Sequence, residues 1–404
     1  MSKSNPLKLF SFNKVIVPLI LGIGVAVFLI AKDFSEPIIS EVPMGEGAYY
    51  WVDANNDDAK ELSELHYADS SNKGNIKVDY QKNILKNILK TWTWGSTFCL
   101  LIAMFFAMMR DFMYIYRLRF LSDKQLSWKQ SFQLIMLWEF SSAITPTVVG
   151  GSAVAFFIVS LEGIGVARST AIVMITALLD ELFYIIIAPI AILLVGADLA
   201  FIHDFDFNVF GQKFGVITVF FIGFGFMWLL TIIILLAIFI YPRGFKWVLY
   251  SLSRKKLFRK SKSKLQKIGD DVIVSSKEFK GKSFWFWIKA YFITVGSWMS
   301  RFLVVNFLIL AFTPIADHVW VFARQLVMWI ILCISPTPGS TGIAEFAFPV
   351  FFREFIPLGL GSTLSVLWRI FTYYPYIVLG LIVLPIWTKR VITRQKQKKR
   401  NIQE

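Results

Sequence analysis

Cysteine, histidine and charged residues are all scarce in this sequence. Its 404 residues include two cysteines and three histidines, and only 17% of them are charged. Cys99 and Cys333 both fall in apolar segments, so no disulfide framework is indicated. His66, His203 and His318 fall in predicted loops or span ends without metal-ligand spacing, and no phosphate loop, nucleophile elbow or Cys-x-x-Cys pair occurs. We therefore predict no metal, no cofactor and no enzymatic activity.

What the chain has in abundance is apolar sequence. It is 56% hydrophobic, contains 40 phenylalanines and has a mean hydropathy of +0.60. Repeated apolar runs of about 20 residues are what a bilayer requires. Candidate spans lie near 15–31, 92–115, 171–195, 214–241, 284–312 and 361–387. This pattern predicts an all-α, polytopic integral membrane protein.

The net charge of +15 is concentrated in a few segments. Thirteen Lys or Arg face three acids in 243–282, and seven face one in 389–404. Basic segments beside spans normally lie in the cytoplasm and contact anionic lipid head groups, and no nucleic-acid-binding pattern is visible. The segment 33–91 instead holds eleven acids and six lysines, and its polar composition is typical of an exposed outer loop.

Two further apolar regions, 131–165 and 319–357, are interrupted by Pro and Gly. If both basic segments lie inside, 131–165 must begin and end inside, and 319–357 must begin and end outside. We therefore predict two re-entrant helical hairpins that enter the membrane from opposite faces. The predicted organisation is, in chain order, 1–32 cytoplasmic N-terminus and signal-anchor span, 33–91 acidic outer loop, 92–195 first repeat, 196–241 outer loop and connecting span, 242–283 basic cytoplasmic loop, 284–387 second repeat, and 388–404 basic cytoplasmic tail.

The two interruptions also predict an inverted repeat. Arg110 precedes Pro146 much as Arg301 precedes Pro336, and ITPTVVGGSA resembles ISPTPGSTGIA. Inverted repeats with broken helices are a recurrent transporter architecture, with the binding site where the breaks meet.

Broken backbone at membrane depth must be covered by protein or face a water-filled cavity. Proline ends the incoming helix, glycine permits the reversal and hydroxyl groups satisfy freed backbone groups. The amides of the returning helices favour an anion such as phosphate. The candidate residues are Pro146, Thr147, Gly150, Gly151 and Ser152 in the first break, and Pro336, Pro338, Gly339, Ser340, Thr341 and Gly342 in the second. The alternative is a pair of kinked spans in a dry bundle, with no ligand.

Charged residues inside spans usually face the bundle interior or a pathway. Arg301 and Arg369 are candidates for binding a phosphate, whereas Asp180 or Glu181 paired with an arginine would only hold helices together. Both interpretations stay open.

Four other charged residues carry weaker predictions. For Arg110 and Asp111 we favour an interfacial position near the end of their span. Glu345 is a candidate for gating or for binding a proton or cation, and a capping role is less favoured because Thr341 lies four residues before it. Glu139 is a similar but weaker candidate. A membrane-embedded hydrolase or transferase that uses Asp180, Glu181 or Glu345 is an open alternative, but nothing specific in the sequence supports it.

Three segments resemble one known family. PTVVGGSA, PTPGSTGIAE and WRIFTYYPYIVLG are similar to the integral-membrane region of the bacterial lysylphosphatidylglycerol synthase/flippase proteins, over about residues 92–390. The resemblance implies a flippase-like fold, and it implies functional roles for the break residues and Glu345, and for Arg369 and Pro375 in the last span. The soluble aminoacyl-transferring domain of the full-length synthases has no counterpart in this sequence, so synthase activity is not expected. The acidic 33–91 segment departs from the family pattern, and we expect a protein partner there.

These observations predict a flippase-like transporter in the cell inner membrane, with both termini cytoplasmic. Its partners would be membrane lipids with an anionic or aminoacylated phospholipid head group, or another lipid-linked head group. The alternatives are a secondary transporter of a small anionic solute and a non-transporting membrane scaffold.

Overall fold

The computed structural model describes residues 37–52, 65–68, 73–80, 92–145, 147–209, 211–254, 262–315 and 317–403, together with residues 20, 24–25, 27–28, 31, 86 and 88–90. The protein is mostly helical, at 74% helix. In chain order the helices are α1 (Trp94–Leu121), α2 (Trp128–Ile144), α3 (Thr147–Leu161), α4 (Val166–Val195), α5 (Ala197–Ala200), α6 (Val216–Leu235, extended by a π-helical turn, Leu236–Ile240), α7 (Pro242–Arg254), α8 (Lys262–Lys280), α9 (Phe284–Leu310), α10 (His318–Cys333), α11 (Ile343–Phe351), α12 (Gly361–Thr372) and α13 (Tyr374–Gln403).

Within the described residues, five helical segments are long and apolar enough to cross a membrane. They are Trp94–Leu121, Val166–Val195, Val216–Ile240, Phe284–Leu310 and Gly361–Arg394. They coincide with five of the six predicted spans, which confirms the polytopic helical membrane class. The remaining predicted span, 15–31, lies largely outside the described residues. Helix α1 continues six residues beyond the predicted end at 115, because YRLRFL contains no Gly or Pro before the turn at Ser122.

The first helices of the two predicted repeats, α1 and α9, pack against each other in antiparallel fashion. Phe120 lies 4.7 Å from Phe286 between ring centroids, and Phe106 lies 5.5 Å from Phe307. The end of α1 therefore contacts the start of α9, and an earlier part of α1 contacts the end of α9. Aromatic rings at this spacing add to the free energy of apolar burial along the whole seam.

Helices α2 and α3 form a first antiparallel hairpin. At its base the Gln130 Nε2 donates to Glu162 Oε2 at 2.8 Å. Near its tip, a Cβ built on Gly151 would lie only 2.9 Å from the Ser142 Cα, so the two backbones are in close contact. Ser127 and Gln130 form a capping box that starts α2.

Helices α10 and α11 form a second antiparallel hairpin. At its base Trp320 packs on Phe355 with ring centroids 4.6 Å apart, and Arg324 Nη2 contacts Glu354 Oε1 at 3.1 Å. At its tip the Ser340 Oγ donates to the Leu332 carbonyl at 3.1 Å. The turn of the chain between the helices requires left-handed backbone at Gly339 (φ 56°) and Gly342 (φ 86°), which glycine adopts without strain.

The bases of the two hairpins lie at opposite ends of α4. The first base adjoins the start of α4, since Glu162 closes that hairpin four residues before Val166. The second base adjoins the other end, where Trp320 Nε1 and Arg324 Nε donate to the Leu199 carbonyl at 2.6 and 2.5 Å. A helix of this length separates its ends by about 45 Å at 1.5 Å per residue.

The predicted last span, 361–387, is interrupted at one residue. Helix α12 ends at Thr372, Tyr373 leaves the helical region (φ −134°, ψ −59°) and α13 begins at Tyr374. Pro375 lacks an N–H and cannot donate to the carbonyl of Phe371, four residues earlier, which explains why the helix breaks there.

The prediction of an all-α chain is wrong for the segment that we interpreted as an outer loop. Residues 37–80 contribute four strands, β1 (Pro37–Glu41), β2 (Tyr49–Trp51), β3 (Leu65–Tyr67) and β4 (Ile76–Tyr80), in an antiparallel sheet of order β1-β4-β2-β3. Ile38 pairs with Asp79, and Ile76 is fully buried. The many acidic and polar residues concealed short β-branched and aromatic runs of the kind that form strands. A β-hairpin, β5 (Asp206–Val209) with β6 (Gln212–Gly215), precedes α6.

Candidate functional site

The two chain breaks meet at one cavity, whose wall includes several charged and hydroxyl groups. Its volume is about 280 Å³, and Ser142 and Ala143 from the first hairpin and Ser335, Thr337 and Gly339 from the second line it. Helices α1, α4, α6, α9, α12 and α13 complete the wall. The cavity thus lies where α2, α10 and the last span are all interrupted.

Seven of the residues that the sequence singled out as site candidates lie on this wall. They are Arg301, Arg369, Asp180, Glu181, Ser152, Gly339 and Ser340. Glu139 and Arg110 line the same cavity. Residues from the two halves of the chain therefore converge on a single site.

The other candidates lie elsewhere. Pro336 is exposed, and Pro338 and Gly342 belong to the second turn without lining the cavity. Glu345 and Thr341 are buried behind the wall, and Gly151 packs against Ser142. Pro146 lies outside the described residues; Thr147 and Gly150 begin α3, and their side chains also lie outside what the structure describes.

Arg369 and Glu345 form a buried ion pair. Arg369 Nε donates to Glu345 Oε1 at 2.8 Å, and Arg369 Nη2 donates to the Gly339 carbonyl at 3.0 Å. Glu345 is fully buried, and its Oε2 accepts the Gly342 N–H at 2.7 Å. Glu345 therefore caps the start of α11, a role that the sequence disfavoured. Its carboxylate accepts the N–H of Gly342, three residues before it, and not a group of Thr341. The pair holds the second break together and neutralises one of the two predicted phosphate-binding arginines.

Asp180 is also paired, with an arginine that sequence reasoning missed. Arg117 donates to its two carboxylate oxygens at 2.6 and 3.0 Å, and the Trp298 indole donates to Oδ1 at 2.8 Å. Arg117 lies two helical turns after Arg110, so both face the same side of α1. That spacing was visible in the sequence once the helix was extended past residue 115.

Arg110 lies inside the bundle, and the prediction of an interfacial position is wrong. It is 3% exposed, and its guanidinium contacts Asp111, Glu139 and the Tyr376 hydroxyl at 2.7, 2.7 and 2.8 Å. The longer α1 places Arg110 in mid-helix, where a charge needs partners within the protein.

Arg301 and Glu181 differ from these paired groups. Among the described residues, Arg301 has no carboxylate partner; its guanidinium lies over the Trp329 ring at 4.2 Å and near the Trp298 ring at 5.4 Å. Its buried Nε also has no hydrogen-bond partner there. Glu181 accepts a hydrogen bond from the Thr231 hydroxyl at 2.8 Å and, within the same described part of the chain, has no cationic partner.

The cavity therefore contains ion pairs that neutralise each other and two groups, Arg301 and Glu181, that can still bind a ligand. The pairs Arg369–Glu345 and Arg117–Asp180 satisfy their own charges. A guanidinium over aromatic rings in a low-dielectric cavity attracts an anion, and its planar fork suits the oxygens of phosphate. Within the described residues, no cluster of His, Cys, Asp and Glu fit to hold a metal ion occurs.

The fold and the cavity define a class: a multi-pass helical membrane protein whose interrupted helices surround a cavity lined by several charged residues. Comparison with protein families gives the particular family. The model for the lysylphosphatidylglycerol synthase TM region matches residues 79–380. Because the match covers well over half of the chain, the protein belongs to this family, as its sequence motifs indicated.

A curated relative supports the same placement. A UPF0104 membrane protein from Archaeoglobus fulgidus (strain ATCC 49558 / DSM 4304 / JCM 9628 / NBRC 100126 / VC-16) is 24% identical over 270 residues, which cover 64% of this chain and 76% of the relative. No solved structure matches the chain. The family links the protein to the handling of membrane lipids.

Proposed function

We propose that this protein is a flippase-like transporter that moves an amphipathic phospholipid or other lipid-linked substrate between membrane leaflets. The head group would occupy the cavity while the acyl chains stay in the bilayer. The observation that carries the proposal is Arg301, a guanidinium on the wall of an intramembrane cavity without a carboxylate partner among the described residues. The proposal assigns the protein no chemical step.

The hairpin geometry supports re-entry from opposite faces. The two bases lie at opposite ends of α4, and both tips reach the cavity. Helix α2 has 17 residues and α11 has 9, lengths of about 25 and 13 Å, and both are shorter than the roughly 30 Å hydrocarbon core. Together with the antiparallel pairing of α1 and α9, this arrangement supports two repeats of inverted topology.

Charge distribution supports an orientation in the inner membrane. The basic segment that contains α7 and α8 and the basic end of α13 would lie in the cytoplasm. The sheet of β1–β4 would then lie outside, beside the base of the second hairpin. A cavity of 260 Å³ there is lined by Pro37 and Ile38 of β1 and by Pro349 and Arg353.

The contacts of the two arginines that the sequence treated alike differ, and this difference supports separate roles for them. Arg369 has two acceptors within the second hairpin, so removing it exposes an uncompensated Glu345. Arg301 forms no ion pair with any described residue, so its charge is available to bind a ligand. We therefore assign phosphate recognition to Arg301 and a structural role to Arg369.

Leaflet exchange in liposomes tests the proposal. Purified protein is reconstituted with tail-labelled fluorescent phosphatidylglycerol, and dithionite quenching reports the lipid that reaches the outer leaflet. We expect exchange faster than in empty liposomes, and a decrease of about tenfold in Arg301→Gln, because a hydrogen-bonded charge contact contributes 1.5–3 kcal/mol. Lys289→Gln is the matched control, since Lys289 is an exposed cation on the same helix. Exchange equal to that of empty liposomes would overturn the proposal.

The cavity also fits a rival function, because Arg301 would attract a free anion as readily as a lipid phosphate. Uptake of radiolabelled inorganic phosphate into the same liposomes distinguishes them. Uptake without leaflet exchange would favour a secondary transporter of small anions, and the absence of both activities would favour a scaffold.

A further inference from the structure

We infer that α7 is an interfacial anchor whose exposed face binds the anionic phospholipid surface at the end of the molecule where α6 emerges. This inference does not depend on the transport proposal. It concerns a helix outside the cavity, in the segment that the sequence treated as a basic loop.

Helix α7 begins immediately after a membrane span. The π-helical turn ends at Ile240, only Tyr241 intervenes and Pro242 opens α7. A connection of one residue cannot carry the helix away from the level at which the span leaves the hydrocarbon. Ile240 and Tyr241 are themselves exposed, as expected for side chains at that boundary.

One side of α7 is held by α8. Lys246 Nζ contacts Asp270 Oδ1 at 2.5 Å, and a Cβ built on Gly269 would lie 3.0 Å from the Lys246 Cγ. Ser253 is buried, with its Oγ bonded to the Tyr250 carbonyl at 2.7 Å. Lys246 and Ser253 are two turns apart, so this side of the helix faces protein along its length.

An adjacent face of α7 presents aromatic and basic side chains together. Trp247 is 65% exposed, and Tyr250, three residues further on the same face, is also exposed. Arg243 and Arg254 fall on the same side at helical spacing, and the Arg254 guanidinium lies 5.1 Å from the Tyr250 ring centroid. Contiguous large apolar groups flanked by arginines are typical of helices that lie in a membrane interface, where the rings enter the head-group layer and the guanidinium groups bind phosphates.

Other exposed aromatic residues lie at the same end of the molecule as α7. Trp128 and Trp285 are exposed at the starts of α2 and α9. The loops before these helices are joined, since Lys282 Nζ contacts Asp123 Oδ2 at 2.7 Å. Arg168, in the first turn of α4, contacts the same carboxylate at 2.6 Å. Aromatic belts of this kind lie at the membrane interface. The occupant of the α7 face is therefore the bilayer, with anionic head groups neutralising Arg243 and Arg254.

A depth measurement on the full-length protein tests the inference. In a background with Cys99→Ser and Cys333→Ser, a bimane fluorophore is attached through Trp247→Cys, or through Lys277→Cys on the exposed side of α8 as the control. Nanodiscs contain phosphatidylcholine with or without phosphatidylglycerol, plus a lipid that carries a shallow doxyl quencher. We expect quenching at position 247 to exceed that at 277 by about threefold or more, and to increase with phosphatidylglycerol.

The charge requirement is tested with the pair of substitutions Arg243→Gln and Arg254→Gln in the Trp247→Cys protein. We expect the extra quenching caused by phosphatidylglycerol to fall by about 30-fold, since each of the two arginines near an anionic surface contributes about 1 kcal/mol, or about fivefold. Equal quenching at positions 247 and 277, which would place the Trp247 face in water, overturns the inference. So does quenching that phosphatidylglycerol and the two substitutions leave unchanged.

Discussion

The Tyr373 hydroxyl lies 3.1 Å from the Ala143 carbonyl and donates a hydrogen bond to it. These residues are 230 positions apart in sequence, and each stands at a break in a helix. The same hydroxyl lies 3.0 Å from Thr341 Oγ1 in the second break. Three interrupted helices thus meet at one phenol group, which fixes the two hairpin tips relative to each other beside the cavity.

Removing this hydroxyl is expected to weaken the contact between the two hairpin tips. Tyr373→Phe loses both contacts and leaves the Ala143 carbonyl buried without that donor, at a cost of about 1–3 kcal/mol. The measurement is thermal unfolding of the purified protein in detergent, where the variant should unfold at a lower temperature. Tyr241→Phe is the control, because Tyr241 is exposed at the end of α6. Equal unfolding temperatures for the Tyr373 variant and the wild type would contradict the bridging role.

The Arg369–Glu345 pair is expected to behave as a structural unit. Removing either partner leaves a buried charge uncompensated, so Arg369→Ala or Glu345→Ala should each destabilise the protein by about 3–5 kcal/mol. Combining Arg369→Ala with Glu345→Ala should cost less than the sum of the single changes, which a double-mutant cycle of unfolding free energies measures. Arg353→Ala, which removes a surface pair with Asp204, should change stability little. Additive single costs would show that the two residues act independently.

The close contact of Gly151 with Ser142 is expected to exclude side chains. Gly151→Leu would place a Cβ 2.9 Å from the Cα and Cβ of Ser142, so the first hairpin should separate at a cost of about 1–3 kcal/mol. A parallel Gly225→Ala change in α6 meets no atom within 4 Å and should be neutral or slightly stabilising. Unfolding temperatures of both variants check this. A Gly151 variant as stable as the Gly225 variant would show that the hairpin is not closely packed there.

The Asp123 cluster is expected to make part of the stability depend on pH. Burial raises the pKa of the Asp123 carboxyl, but hydrogen bonding and attraction by Lys282 and Arg168 outweigh it, so the pKa lies below its ordinary value. A lowered pKa stabilises the fold above the unfolded value of about 3.9, and the contribution is lost as the pH falls through the folded pKa. Asp123→Asn should therefore lower the unfolding temperature at neutral pH, with no difference from wild type at strongly acidic pH.

The control for that experiment is Asp198→Asn, since Asp198 is fully exposed. Its unfolding temperature should match that of the wild type across the whole pH range. A difference between Asp123→Asn and wild type that persists in strong acid would show that the cluster contributes by packing and not by charge.

Much of the architecture could be read from local sequence. The five spans follow from runs of apolar residues, and the second break follows from Pro336, Pro338 and Gly339. The resemblance in PTVVGGSA and WRIFTYYPYIVLG gave the family. The β-sheet of residues 37–80 was missed because its strands have three to five residues each and lie among acidic residues that dominate the composition.

The pairing of the charges required the tertiary structure. From the sequence, Arg301 and Arg369 were equivalent, and Arg110 was expected at the membrane interface. Arg369 reaches Glu345 across 24 residues, and Arg117 reaches Asp180 across 63. Such contacts depend on which helices become neighbours, and no local pattern encodes that choice.

The sequence by itself determined that this chain crosses a membrane and breaks its backbone there, because the length of an apolar run and the geometry of proline and glycine are properties of neighbouring residues. Only the tertiary structure decided which charges are neutralised within the protein and which remain available to a ligand. A charge in a low-dielectric interior is satisfied by whatever lies within a few ångströms of it, and the packing of distant helices sets those neighbours.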